Sequence, residues 1–178
     1  MNRFVWDLRH AGAGDGAQQR GGGPLAVPGR YQLKLSAGAW SKTQSLTVKM
    51  DPRLEKDGVT QADLEEQLNL SLMIGEAITE ARRMAGQIDE SLKSAGNRND
   101  SSETVQRLRE IRAKLVTASG PYPQPKLIDQ LGSLNRMIGG ADRKVGRSAF
   151  EFFEVLKKEI ADIRAELDRA LPGGTGRR

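Results

Sequence analysis

Apolar residues recur through the middle of the chain at the spacing of a single helix face. From Ile74 they fall at Ile78, Ala81, Ala85, Ile88 and Leu92, and Leu64, Leu68 and Ser71 extend the stripe upstream. Steps of three and four predict a helix with one apolar seam, leaving Glu65, Glu66, Glu76, Arg82, Arg83 and Asp89 to water. The predicted helix covers 59–95 and measures about 50 Å at 1.5 Å per residue. Such a seam cannot be buried alone, so the chain must supply partner helices. Thr60 with Asp63 three residues on predicts a capped start, and Gly96-Asn97 a stop.

Three further helices follow the same rule. One over 102–118 presents Val105, Leu108, Ile111 or Arg112, and Leu115. The run from Ser119 through Pro121, Tyr122, Pro123 and Pro125 breaks it. Another over 126–139 carries Leu127, Leu131, Leu134 and Ile138 and ends at Gly139-Gly140. The last, 148–171, has Ser148 and Glu151 in capping-box register and a stripe of Phe150, Phe153, Leu156, Ile160, Ile163, Leu167 and Leu171. Residues 97–102 are polar and expected to be mobile, and 172–178 are expected as a disordered tail.

The first 53 residues change period. Phe4 to Leu8 is rich in aromatic and branched side chains and predicts a short strand. A glycine-crowded loop covers 11–29. Tyr31, Leu33 and Leu35 then alternate with Gln32, Lys34 and Ser36, a half-buried strand. Ala37-Gly38-Ala39 supplies a turn, and Trp40 to Met50 returns with Leu46, Val48 and Met50 on one side. The expected fold class is α+β, mainly α: a small antiparallel β-unit of about three strands, then an antiparallel four-helix bundle with one long helix. Its heptad-like spacing predicts coiled-coil packing at roughly 20°. Three strands fall short of a sandwich, so either the long helix or further strands must cover the sheet.

Composition removes several chemistries. There is no cysteine, hence no disulfide framework, thiolate metal site or cysteine nucleophile, and His10 is the only histidine. No helix carries the Glu-x-x-His pattern of a di-iron bundle. Carboxylate pairs exist, such as Glu65 with Glu66 or Asp162 with Glu166; the second lies opposite its helix's apolar seam beside Arg164 and Arg169. Gly12 to Gly16 lacks the G-x-G-x-x-G spacing of a phosphate loop. Asn69-Leu70-Ser71 and Asn99-Asp100-Ser101 match a glycosylation sequon that is common by chance. Trp6 and Trp40 read as core or interface anchors. No catalytic, cofactor-binding or metal-binding residue is assigned, and no cofactor is implied.

The net charge is +5 with a pI near 9.7, which alone would suit an anionic partner. Yet 28 basic residues are interleaved with 23 acidic ones, and the densest basic spot is the short turn containing Arg143, Lys144 and Arg147. That pattern describes a solvated surface better than a nucleic-acid footprint, which should cluster on one face. No run of 18 apolar residues occurs to span a membrane, and the opening residues do not read as a signal peptide.

Several stretches together resemble a family. Asn2-Arg3-Phe4-Val5-Trp6-Asp7-Leu8-Arg9, Val27-Pro28-Gly29-Arg30-Tyr31 and Leu46-Thr47-Val48-Lys49-Met50-Asp51-Pro52-Arg53 are similar to the C-terminal region of bacterial sortilin-like, BNR-repeat β-propeller proteins. Ala141-Asp142-Arg143-Lys144 and the stretch from Phe153 through Leu156 to Glu159 are similar to their terminal helices. The resemblance implies that 1–53 is a partial immunoglobulin-like unit and that 59–171 is an accessory helical bundle. Relatives are often labelled glycosyl hydrolases and are typically exported or in the cell envelope. This chain carries no Asp-box repeat and no blades, so no glycosidase residue transfers to it. The expected function is a non-catalytic interaction module, a fragment or truncated product whose partner is protein: a propeller in cis, or a second copy through a sheet edge or helices. The alternatives are a stand-alone basic helical protein binding nucleic acid or another anionic partner, and part of a glycoside hydrolase whose catalytic blades are missing from this chain.

Overall fold

The computed structural model describes residues 5–12, 22–96 and 102–171. Within them the chain is α+β and mainly helical. Strands β1 (Gly29–Ala37) and β2 (Trp40–Val48) form an antiparallel hairpin, followed by a short helix α1 (Pro52–Lys56). The long helix α2 (Gln61–Gly96), α3 (Glu103–Leu115), α4 (Leu127–Ile138) and α5 (Arg147–Ala170) then share one core.

Helix α2 buries more than one seam. Ile74, Ile78, Ala81, Ala85 and Ile88 are inside as the periodicity requires, but so are Leu70, Ala77 and Met84. The second row is needed because α2 packs against α3, α4 and α5, and one stripe cannot face three neighbours. Leu131, Leu134 and Ile138 of α4 and Phe153, Leu156, Ile160 and Ile163 of α5 complete the interior, all in the expected register. In α3 the open choice resolves to Ile111, which is buried. Arg112 beside it turns outward and pairs with Asp89 of α2.

The ends of the helices separate what short-range chemistry decides from what packing decides. At α2 the expected capping box is present: Thr60 N donates to Asp63 Oδ2 at 2.9 Å, and Asp63 N donates to Thr60 Oγ1 at 3.2 Å. At α5 it is not. The helix begins one residue earlier, with Gly146 as N-cap, so Ser148 falls inside the first turn and caps nothing. Glu151 instead accepts from Arg147 Nε at 2.8 Å, one turn upstream. Helix α1 follows the hairpin directly; Asp51 caps it by accepting from Arg53 N at 2.9 Å, and Pro52 fits its first turn.

The third strand does not form among the described residues. Val5 to Leu8 has no strand geometry, and Phe4 and the residues before it lie outside the description. Instead Ala26 N donates to Leu8 O (2.7 Å), His10 N to Pro24 O (2.9 Å) and Gly23 N to His10 O (3.0 Å). These bonds make a short antiparallel ladder around an isolated bridge between Arg9 and Leu25. Gly23 belongs there because a Cβ would lie 2.4 Å from the carbonyl oxygen of Ala11. The glycine-rich loop from 13 to 21, the polar segment 97–101 and the tail 172–178 also lie outside the description.

Candidate functional site

The hairpin puts its two kinds of residue on opposite faces. Register pairs Tyr31 with Leu46, Leu33 with Gln44, Leu35 with Lys42 and Ala37 with Trp40. Paired residues share a face, so one side of the sheet carries Tyr31, Leu33, Leu35, Ala37, Trp40, Leu46 and Val48, interrupted by Lys42 and Gln44. The other side is wholly polar: Arg30, Gln32, Lys34 and Ser36 against Thr47, Ser45, Thr43 and Ser41. A two-residue loop, Gly38-Ala39, closes the hairpin with Gly38 at φ +58°, the position where such loops favour glycine.

Among the described residues, no helix packs on either strand. The apolar face therefore meets water: Leu33 is 45% exposed, Leu35 66% and Trp40 53%. Each such side chain fully buried would contribute about 1.5–3 kcal/mol. Alternation in the sequence signals a covered face, and α2 does not cover it.

Trp6 and Trp40 have different surroundings. Trp6 is half-buried, its Nε1 donates to Arg9 O at 3.0 Å, and its ring meets Tyr31 edge-on at 5.4 Å. Trp40 lies at the turn end of the hairpin. Between the base of the β-unit and the helices runs an open cleft of about 1940 Å³, with Leu25, Met50 and Leu54 on one wall and Leu64, Leu68 and Leu72 on the other. Arg82, Arg83, Arg136 and Arg164 rim it, together with Glu80, to which Arg164 is bonded.

Glu65 and Glu66 are exposed on α2. Glu166 accepts from Lys114 Nζ at 2.6 Å, joining α5 to α3, while Asp162 remains on the surface. Lys144 lies 3.8 Å from Asp63, and Arg147 pairs with Glu151. The Thr60 hydroxyl and main chain, with Lys144 nearby, hold the Asp63 carboxyl below its usual range. Arg53 does the same more strongly for Asp51, whose pKa falls to about 2 through side-chain and backbone hydrogen bonds. Both are cap residues at helix starts. Among the described residues no group of three His, Asp or Glu side chains is placed to share a metal ion. Among the described residues no helix is long and apolar enough to cross a membrane.

The chain matches no family model, no curated protein and no solved structure.

Sequence reasoning missed the polar tie of Gln67, which is buried on α2 and bonded to the end of α4. It also missed Thr117, whose Oγ1 accepts from Lys126 N at 2.9 Å and closes the proline-rich loop between α3 and α4. Neither has a local signal, since their partners lie 71 and 9 residues away.

Proposed function

We propose that this chain is a non-catalytic accessory and interaction module, the C-terminal part of a longer sortilin-like, BNR-repeat propeller protein. On this reading α2–α5 form an antiparallel four-helix bundle that serves as a rigid body, and the β-unit is a partial immunoglobulin-like segment that attaches it to the preceding domains. The observation that carries the proposal is the uncovered apolar face of the β1–β2 hairpin, with Leu33, Leu35 and Trp40 in solvent while the helices bury their own stripes. An exposed apolar surface of this kind marks an interaction site. The residue series around Trp6, Tyr31 and Asp51 supports the choice of family.

The test is the size of the native polypeptide in its source cells, detected with an antibody raised against α5. A species several-fold heavier than 19.5 kDa is expected. A native polypeptide of 19.5 kDa overturns the assignment.

A further inference from the structure

Helix α2 carries a second heptad seam that the bundle does not use. Leu68, Leu72, Gly75, Thr79, Arg82 and Gly86 follow one another in steps of four, three, four, three and four, the spacing by which one helix receives another. All six line the open cleft and none belongs to the shared core. Leu68 is half-buried and Leu72 exposed, with Leu25, Met50 and Leu54 on the opposite wall. The charges along the cleft are one-sided. Arg164 is neutralised by Glu80, and Asp51 by Arg53. Arg82 and Arg83 on α2 and Lys49 on the facing wall have no hydrogen-bond or ion-pair partner through their side chains among the described residues. Arg9 and Arg136 are bonded through theirs to uncharged groups, the Gly23 carbonyl and the Ser133 hydroxyl. Against these five cations the lining sets two unpaired acids, Glu76 and Asp142.

We infer that this cleft is a docking groove for an acidic amphipathic helix of a partner protein, with apolar residues seated on Leu68 and Leu72 and carboxylates meeting Arg82, Arg83 and Arg136. The surface is separate from the bare hairpin face, and the inference holds whether or not the chain belongs to a longer polypeptide. Size suits the occupant. Leu64 to Gly86 spans about 33 Å of α2 at 1.5 Å per residue. The cleft of about 1940 Å³ has room for about 16 residues of a helix roughly 10 Å across. Charge selects among occupants. Closing the β-unit onto α2 would carry Arg9 and Lys49 toward Arg82, Arg83 and Arg136, and like charges brought together disfavour docking. A second copy of a chain with net charge +5 meets the same repulsion. An acidic helix gives the cations partners, and grooves of this kind take a helix through apolar anchors one or two turns apart.

Fluorescence anisotropy of labelled peptides of about 16 residues, titrated with the 178-residue chain, tests this. One peptide carries leucines in heptad register with glutamates on both flanks. A second replaces the glutamates by lysines, and a third keeps the glutamates but scrambles the leucines. The first is expected to bind at least about tenfold more tightly than either control. Arg82 and Arg83 are exposed, and the double variant Arg82→Glu, Arg83→Glu should weaken the first peptide at least about tenfold and bind the lysine peptide instead. A misfolded variant would not show that reversal. Equal binding of the scrambled peptide means charge attraction without a groove and overturns the inference, as does no binding of the first peptide. Because the chain has no cysteine, Leu54→Cys with Leu72→Cys reports on closure of the cleft. A disulfide that forms as fast with the first peptide as without it overturns the inference in favour of the β-unit as occupant. A dimer in sedimentation that the double variant dissolves makes a second copy the occupant and also overturns it.

Discussion

Gln67 Nε2 donates to the carbonyl of Ile138 at 2.6 Å and to that of Ala141 at 2.7 Å, across the contact between α2 and the end of α4. A helix leaves its last carbonyls without intrahelical partners, and one buried amide from a neighbouring helix satisfies Ile138 and the turn after it. The pair explains how a polar residue comes to be only 8% exposed within an apolar interface.

Replacing Gln67 by Ala removes both bonds and leaves the two carbonyls short of a donor. The expected cost is about 1–3 kcal/mol. It is read as a lower urea midpoint at unchanged slope. Gln67→Glu should cost more, because a carboxylate would face two carbonyl oxygens. A midpoint unchanged in both variants rejects the role assigned to this side chain.

Two leucines with the same chemistry should behave oppositely. Leu131 is fully buried on α4, and Leu131→Ala should cost about 2–5 kcal/mol. Leu35 is 66% exposed, and Leu35→Thr should change stability by no more than about 0.5 kcal/mol. The second change should also reduce binding of a dye that reports exposed apolar surface. Equal costs at the two positions would mean that the hairpin face is covered in the isolated chain.

Gly38 holds φ +58° in the hairpin turn. Gly38→Val puts a branched side chain where L residues are strained. Because no helix among the described residues packs on the strands, the effect should stay local. Amide exchange across β1 and β2 should quicken while the thermal midpoint of the helices holds. A fall in that midpoint contradicts the separation of hairpin from core.

Asp63 provides the pH dependence. Its folded pKa is depressed by the hydrogen bonds from Thr60. The stability it contributes is therefore complete above the unfolded carboxylate value and lost as pH falls through the lower folded value. As pH falls below the ordinary carboxylate range, the wild-type protein should lose stability more steeply than Asp63→Asn, measured by urea titration at each pH. Identical slopes would mean that the cap does not persist in solution.

The helices were largely legible in sequence, and the particular residues show why. Leu127, Leu131, Leu134 and Ile138 repeat at a spacing that has one physical reading, and all four are buried. Thr60 and Asp63 sit three residues apart, close enough for their bonds to form whatever the rest of the chain does. Ser148 and Glu151 have the same spacing, but Gly146 opens the helix earlier and Arg147 takes the glutamate. Leu70, Ala77 and Met84 fall outside the seam because their burial depends on how many helices surround α2.

By itself the sequence determined the periods: three and four along the helices, two along Tyr31, Leu33 and Leu35, with the turn at Gly38 between paired strands. Those are properties of neighbouring residues, set by backbone geometry and side-chain polarity within a few positions. Only the tertiary structure decided that Gln67 would tie α2 to α4, that Ile111 rather than Arg112 would enter the core, and that the hairpin's apolar face would stay open. Periodicity states which face an element hides; what hides it depends on contacts between residues far apart in the chain, and among the described residues no helix makes those contacts with the sheet.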